Sequence, residues 1–166
     1  MRKLTKKHHN SKNCFICGLE NEKGLHAEFY ETDQGELACL FKPHFFHQSY
    51  PGIVHGGISA SVLDELMGRA LNVTEPDQFS MTVKLELKYK KPVPYEKKLV
   101  AIAKVTKNTR LLYEAEGVLY DDENNICVVA KGKYMKMSID KISDNFGEEG
   151  EWFINDKDDD PVEINI

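Results

Sequence analysis

Residues 51–72 read PGIVHGGISASVLDELMGRALN and concentrate groups able to act on a substrate: His55, the pair Gly56-Gly57, and the carboxylates Asp64 and Glu65. Glycines at a helix start leave backbone N–H groups unshielded, and the helix terminus adds partial positive charge. Such a terminus binds a phosphate or stabilises an oxygen that becomes negative during acyl transfer. The spacing of a phosphate-binding loop, with its lysine, is absent, which leaves the oxyanion reading. That reading needs a base or nucleophile within reach. On a helical wheel Asp64 lies at the flank of the apolar arc, near Ala60, Met67 and Leu71. A carboxylate that loses solvent there suits general-base or nucleophilic work. Glu65 falls on the opposite flank. The alternative is that both acids simply edge a solvated face.

The elements that must position these groups follow from periodicity. Ile58, Val62, Leu63, Leu66, Met67 and Ala70 recur at helical spacing, and Pro76 stops the helix. Before it, LHAEFYE and ELACLF are short strand-like runs joined by TDQG, a hairpin pattern. After it the pattern becomes period two. In MTVKLELKYKKPVP, Val83, Leu85, Leu87 and Tyr89 fall on one face, with Thr82, Lys84, Glu86 and Lys88 on the other. Three further strands follow, KLVAIAKVTKN, RLLYEAEGVLYD and NICVVAKGKYMKM, the last two joined by DDENN. No helical segment separates them, which predicts antiparallel pairing. The expected class is α+β, with an antiparallel sheet wrapped around one long central helix.

At this point YPGIVHGGISASVLDELMG followed by MTVKLELKYKKPVP resembles the hotdog-fold thioesterase superfamily, in its phenylacetate-pathway and 4-hydroxybenzoyl-CoA thioesterase-like branch. The resemblance covers residues 14–138. Its most specific part is His-Gly-Gly with an acid nine residues after the His, then Thr-x-x-Leu-x-Leu-x-Tyr. It implies an acyl-CoA thioesterase in which the Gly56 N–H polarises the thioester carbonyl and Asp64 is nucleophile or general base toward water. Thr82 would help hold the water or the carboxylate. His55 would shape the loop rather than carry protons, and Gly57 would line the substrate. Relatives place an Asn six residues before the His; here that position is Ser49, preceded by Gln48, either of which would contact substrate instead. The resemblance also implies a homodimer, or a dimer of dimers, with the acid and the glycine of one site on different subunits. No metal is implied, nor any cofactor beyond the coenzyme A carried by the substrate. Alternatives are a non-catalytic acyl-CoA-binding protein and an acyl hydratase or dehydratase.

The rest of the chain sets limits. With 166 residues, 41% hydrophobic and 30% charged, it can bury one core. A net charge of −5 argues against a nucleic-acid partner. No apolar run approaches a membrane span, and the N-terminus lacks a secretory signal, so a cytoplasmic protein is expected. Charge is uneven. Residues 1–13 carry Arg2, Lys3, Lys6, Lys7 and Lys12 without an acid, while residues 140–166 carry ten acids against Lys141 and Lys157. Two solvated tails, 1–13 and 139–166, are expected around a domain at 14–138, although opposite charge would let them attract each other. Lysines near strand ends, Lys90 among them, and Arg110 in the KNTR turn suit the phosphates of coenzyme A. Cys14-x-x-Cys17 has half the ligands of a zinc site, so a structural turn is expected, with Cys39 and Cys127 in the core.

Overall fold

The computed structural model describes residues 1–143 and 150–166. Asp144, Glu148 and Glu149 of the acidic segment lie outside the described residues. Helix α1 (Gly56–Arg69) runs through the middle of the molecule. Its Val62, Leu63, Leu66 and Met67 are shielded completely from solvent, because their spacing puts all four on one stripe. A 3-10 turn at Ala70–Val73 follows, and the chain leaves the helix before Pro76.

The strands are β1 (Arg2–Lys7), β2 (Asn10–Ser11), β3 (Glu28–Thr32), β4 (Leu37–Phe41), β5 (Phe79–Tyr89), β6 (Leu99–Asn108), β7 (Leu112–Tyr120), β8 (Ile126–Met137), β9 (Trp152–Phe153) and β10 (Glu163–Ile164). Eight of them form one sheet in the order β10-β1-β3-β4-β6-β7-β8-β5, and β2 pairs with β9. Every pairing is antiparallel. Helix α1 touches β4, β5, β6, β7 and β8, so the sheet encloses the helix as expected of a hotdog layout. Cys39 and Cys127 are core residues. Among the described residues no helix is long and apolar enough to cross a membrane.

Among the described residues, the two charged ends are not solvated tails. Strand β1 lies between β3 and β10, so residues 2–7 and 163–164 both belong to the sheet. Two forces place them there. Ile164 packs against Ala38 and Ile102 on the sheet face away from the helix, joined by Leu4 and Ile166. Beside it the buried Lys7 ammonium meets Asp160 at 2.6 Å and Glu28 at 3.1 Å, and also donates to the Asn155 carbonyl. The Tyr30 hydroxyl donates to the same Asp160 at 2.8 Å. Nearby, Trp152 of β9 stacks on His9 with ring centroids 5.6 Å apart.

The alternation in β5 also departs from the expected one. A bulge between Thr82 and Lys84 inserts Val83 as an extra residue, which shifts the side-chain period by one. Before the bulge Ser80 and Thr82 face the helix, and after it Leu85 and Leu87 do. Val83 is left 56% exposed instead of sharing their face.

Burial works against ionisation of Asp160, but the bonds from Lys7, the Lys157 N–H and Tyr30 outweigh it and hold the carboxyl below the ordinary aspartate range. A pKa lower in the folded state contributes stability that is complete above the unfolded value, near 3.9, and is lost as pH falls through the folded value. The urea midpoint of the wild-type chain therefore falls more steeply below about pH 4 than that of Asp160→Asn, and the variant is the less stable of the two near pH 7. Equal acid slopes would remove Asp160 from this clasp.

Candidate active site

Asp64 sits midway along α1, half-buried, at the edge of the buried stripe. Two hydroxyls fix its carboxylate. Thr82 Oγ1 lies 3.0 Å from Oδ1 and 3.2 Å from Oδ2, and the Tyr134 hydroxyl lies 3.2 Å from Oδ1 and 3.2 Å from the Asp64 carbonyl. Burial first, then the Asp64 charge, push the Tyr134 pKa well above the tyrosine range, so this hydroxyl stays a donor. The bulge at Val83 is what turns Thr82 toward the helix. Tyr134 is aimed differently. Its ring stacks on Tyr113 at 5.0 Å and folds back over Gly132, where any Cβ would collide with the ring. Tyr113 in turn donates to the Gly68 carbonyl at 2.6 Å, tying the tyrosine pair to the helix backbone. The carboxylate opens onto a groove of about 520 Å³ lined in part by Cys14, Ser61, Thr82, Tyr134, Ile139 and Trp152.

The helix start is a second, separate cluster. Sequence alone expects a bend at Gly56-Gly57 with two open amides. Neither glycine adopts positive φ; the sharp turn comes earlier, at Gly52, where φ is 85°. Both glycines lie inside the first turn of α1. His55 caps the helix, its Nδ1 accepting the Gly57 N–H at 2.9 Å, so that amide is spent within the protein. The Ile58 and Ser59 amides bond the His55 carbonyl. Among the described residues none accepts from the Gly56 N–H, which is left open. Tyr89, at the end of β5, donates to the Gly56 carbonyl at 2.7 Å, and its ring would lie 3.4 Å from a Cβ at that position.

The remaining sequence candidates divide between the two ends of the molecule. Gln48 and Ser49 are exposed in the loop before the helix, which folds back through a Gln48–Val54 bridge and a Ser49 N–H bond to the Ile53 carbonyl. His47 anchors this loop from inside, bonding the His44 N–H and the Lys23 carbonyl. Lys90 is exposed immediately after Tyr89, at the same end. Arg110 is exposed in the β6–β7 turn at the opposite end, where Tyr113 and Ser80 meet the last turn of α1. Within one chain, therefore, Lys90 and Arg110 cannot hold one phosphate group, since the strand from Ser80 to Tyr89 alone spans roughly 30 Å. Nor does the chain bring Gly56 and Asp64 together. They are eight residues apart on one helix, roughly 12 Å. Sequence reasoning missed Tyr134 and Tyr89 as partners of the two clusters. The period-two Gly132-x-Tyr134 spacing, which leaves room for a ring beside a missing side chain, was the available signal for the first.

One helix enclosed by an antiparallel sheet, carrying a tethered carboxylate midway and an open amide at its start, defines a hotdog-fold α+β protein. The Thioesterase superfamily profile matches residues 51–128. Acyl-coenzyme A thioesterase THEM4 of Rattus norvegicus is 30% identical over 129 residues, covering 76% of this chain and 55% of that protein. The E. coli PaaI protein, from the phenylacetic acid degradation operon, shares the fold with a TM-score of 0.63 at 16% identity, over 72% of this chain and 87% of that one. BH2602 of Bacillus halodurans, solved with CoA, gives a TM-score of 0.55 at 26% identity, over 63% of this chain and 72% of that one. The chain is similar to the thioesterase superfamily over residues 51–128. It spans about half the length of the curated relatives it matches.

Removing the Tyr134 hydroxyl leaves its ring stacked on Tyr113 and deletes only the bond to Asp64, so Tyr134→Phe costs about 1–2 kcal/mol of unfolding free energy. Gly132→Ala forces the ring off its site and costs more. Urea unfolding of both variants checks the order; a Gly132→Ala variant as stable as wild type would show that the ring does not need that space.

Proposed function

We propose that this chain hydrolyses acyl-CoA thioesters. The observation that carries the reading is the tethered Asp64 carboxylate, held from two sides by Thr82 and Tyr134 yet open to a groove. A carboxylate fixed in this way is pre-oriented toward whatever occupies the groove, and thioester hydrolysis needs one such group as base or nucleophile. The acyl-CoA class comes from the relatives: THEM4 is named an acyl-coenzyme A thioesterase, and BH2602 was solved with CoA.

In this reading Asp64 takes a proton from water as the water attacks the thioester carbonyl, or itself attacks to form an anhydride that water then opens. The carbonyl oxygen becomes negative and rests on the open Gly56 N–H, aided by the positive end of the helix. The C–S bond then breaks and coenzyme A departs as thiolate, a leaving group stable enough to need little acid help. His55 does not move protons here, because its Nδ1 is committed to the Gly57 amide. That commitment favours hydrolysis over hydration of an unsaturated acyl group.

The working unit in this proposal is a homodimer. A rigid helix keeps one chain's own Gly56 and Asp64 roughly 12 Å apart, so a site that uses both draws them from two copies. Strand β5 supplies the junction. It is one edge of the sheet, paired among the described residues only with β8, 11 residues long, and it leaves Met81, Val83 and Tyr89 substantially exposed. A long edge strand offers its unpaired N–H and C=O groups to another strand. Joining two β5 edges antiparallel sets the helix start of one protomer toward the helix end of its partner. Lys90 then lies at the same end as Arg110 of the partner subunit, where both would meet the phosphates of coenzyme A.

Thiol release from short, long and aromatic acyl-CoAs tests the activity. Asp64→Asn lowers kcat at least about a thousandfold, the range seen when a general base or nucleophile is lost, while acyl-CoA still raises the thermal midpoint. Full turnover in that variant would take Asp64 out of the reaction. Shared sites are tested with Gly56→Pro, which deletes the amide N–H and brings a ring into ordinary contact with Tyr89: His55 is already extended, at φ −61° and ψ 135°, as a residue before proline must be. Each variant alone is inactive. Mixed subunits regain turnover, since one of the two sites in the heterodimer keeps both groups; no recovery in verified heterodimers would place Gly56 and Asp64 in different reactions.

A further inference from the structure

A thiol pair that hydrolysis does not use stands beside the same groove, which Cys14 lines. Residues 14–18 make one helical turn, closed by the Gly18 N–H donating to the Cys14 carbonyl at 2.8 Å. A side chain at Gly18 would collide with the backbone of Asn13 and Cys14, so the turn depends on that glycine. Helical geometry sets residues three apart at about 5 Å between Cα atoms, inside the range of about 4.4–6.8 Å across which disulfides form. Both cysteines are free thiols, and their sulfurs and a Glu65 oxygen lie within 4.8 Å of one another.

The two sulfurs stand in different surroundings. Cys14 Sγ is half-buried on the groove, accepts the Ile16 N–H at 3.3 Å and the Cys17 N–H at 3.5 Å, and lies 3.2 Å from Glu65 Oε2. Cys17 has no exposed surface, and Arg69 Nη2 donates to its sulfur at 3.0 Å. A bond from the Cys17 thiol, with help from the two turn amides, outweighs burial and Glu65 and holds the Cys14 pKa down to about 7. The Cys17 thiol is pushed the other way, by its bond to Cys14 and by burial.

Two thiols and a carboxylate also make a partial metal-ligand set. Here that set already surrounds a cation. Arg69 bonds Glu65 Oε1 at 2.7 Å and is held between the rings of Phe29 and Trp152, at 4.5 and 4.7 Å. A divalent ion bound to Cys17 and Glu65 would sit against that guanidinium and be repelled. A fixed cation beside a sulfur favours thiolate chemistry instead.

We propose that Cys14 and Cys17 form a thiol–disulfide exchange site for disulfides of small thiols, with Cys14 attacking and Cys17 resolving. The Cys14 thiolate bonds one sulfur of the small disulfide; the original S–S bond breaks, and its electron pair leaves on a small thiolate, which takes a proton from water. Cys17 then attacks the Cys14 sulfur, and the second small thiolate departs with the Cys17 proton. The protein dithiol is oxidised to a disulfide, and the small disulfide is reduced to two thiols. Access dictates the order, because only Cys14 faces the groove. Oxidation also removes the thiol contact to Glu65, the residue next to Asp64.

The full chain, incubated with oxidised glutathione near neutral pH, tests this by intact mass and peptide mapping, without reference to thioester hydrolysis. A Cys14–Cys17 disulfide forms, the protein loses the mass of two hydrogens, and dithiothreitol restores it. Cys17→Ser stops at a glutathione adduct on Cys14. Cys14→Ser slows glutathione uptake at Cys17 at least about tenfold, because a buried thiol is inert. Wild-type protein that forms neither disulfide nor adduct overturns the proposal, as does an adduct found first on Cys17, or stoichiometric zinc that protects both thiols and is lost in Cys14→Ser.

Discussion

A straight helix is a ruler, and in this protein the ruler separates the two groups that the proposed hydrolysis uses. Gly56 opens α1 and Asp64 lies eight residues along it, so their spacing is fixed at roughly 12 Å by the rise per residue. The helix cannot flex to close that gap. Its Val62, Leu63, Leu66 and Met67 are fully enclosed by the sheet, and a bend would open cavities in a close-packed core at a cost of several kcal/mol. The same burial that defines the fold thus prevents one chain from assembling a site from both groups. Under the proposed hydrolysis, a single copy presents half of each of two sites, along with a sheet edge able to pair.

The carboxylate itself is held by a compromise between burial and hydrogen bonding. A helix flank that packs against apolar strands would strip Asp64 of water, and an unpartnered charge there is costly. Thr82 and Tyr134 replace the lost solvent, and each reaches Asp64 through a local irregularity. Thr82 does so because an extra residue at Val83 reverses the strand's alternation, and Tyr134 because Gly132 leaves space for its ring. Regular strands without these features would turn Thr82 away and crowd the tyrosine. Bulges and strand glycines beside a functional group are the usual means of re-aiming a side chain.

The parts legible in the sequence were those written in local periodicity. The helix stripe from Val62 to Ala70, the TDQG and DDENN hairpins and the four later strands all follow from spacing within a few residues, and the structure has them. What escaped was nonlocal or masked. Val162, Ile164 and Ile166 alternate with polar residues, a strand signal, but the surrounding acids made the segment look like a solvated tail; Leu4 among lysines was hidden in the same way. The bulge at Val83 breaks no sequence rule, since β-branched residues suit either phase of a strand. Tyr134 meets Asp64 across 70 positions of sequence, and only the sheet order brings them together. Lys90 and Arg110 looked alike as exposed cations near strand ends, and topology alone puts them at opposite ends of the molecule.

The adjacent acids of the helix show how far neighbouring residues diverge once packing is settled. Successive helix positions point about 100° apart, so Asp64 turns to the groove while Glu65 turns toward Arg69 and the thiol turn. Burying a guanidinium demands a compensating charge and further acceptors. Glu65 supplies the charge, the His9 carbonyl and the Cys17 sulfur supply acceptors, and Phe29 and Trp152 cover the two faces. These contacts draw on residues near both ends of the chain and on the helix. Arg69 therefore ties the terminal segments to the element that carries Asp64. The Cys14–Cys17 turn touches that network through Glu65, one residue from the carboxylate at the groove.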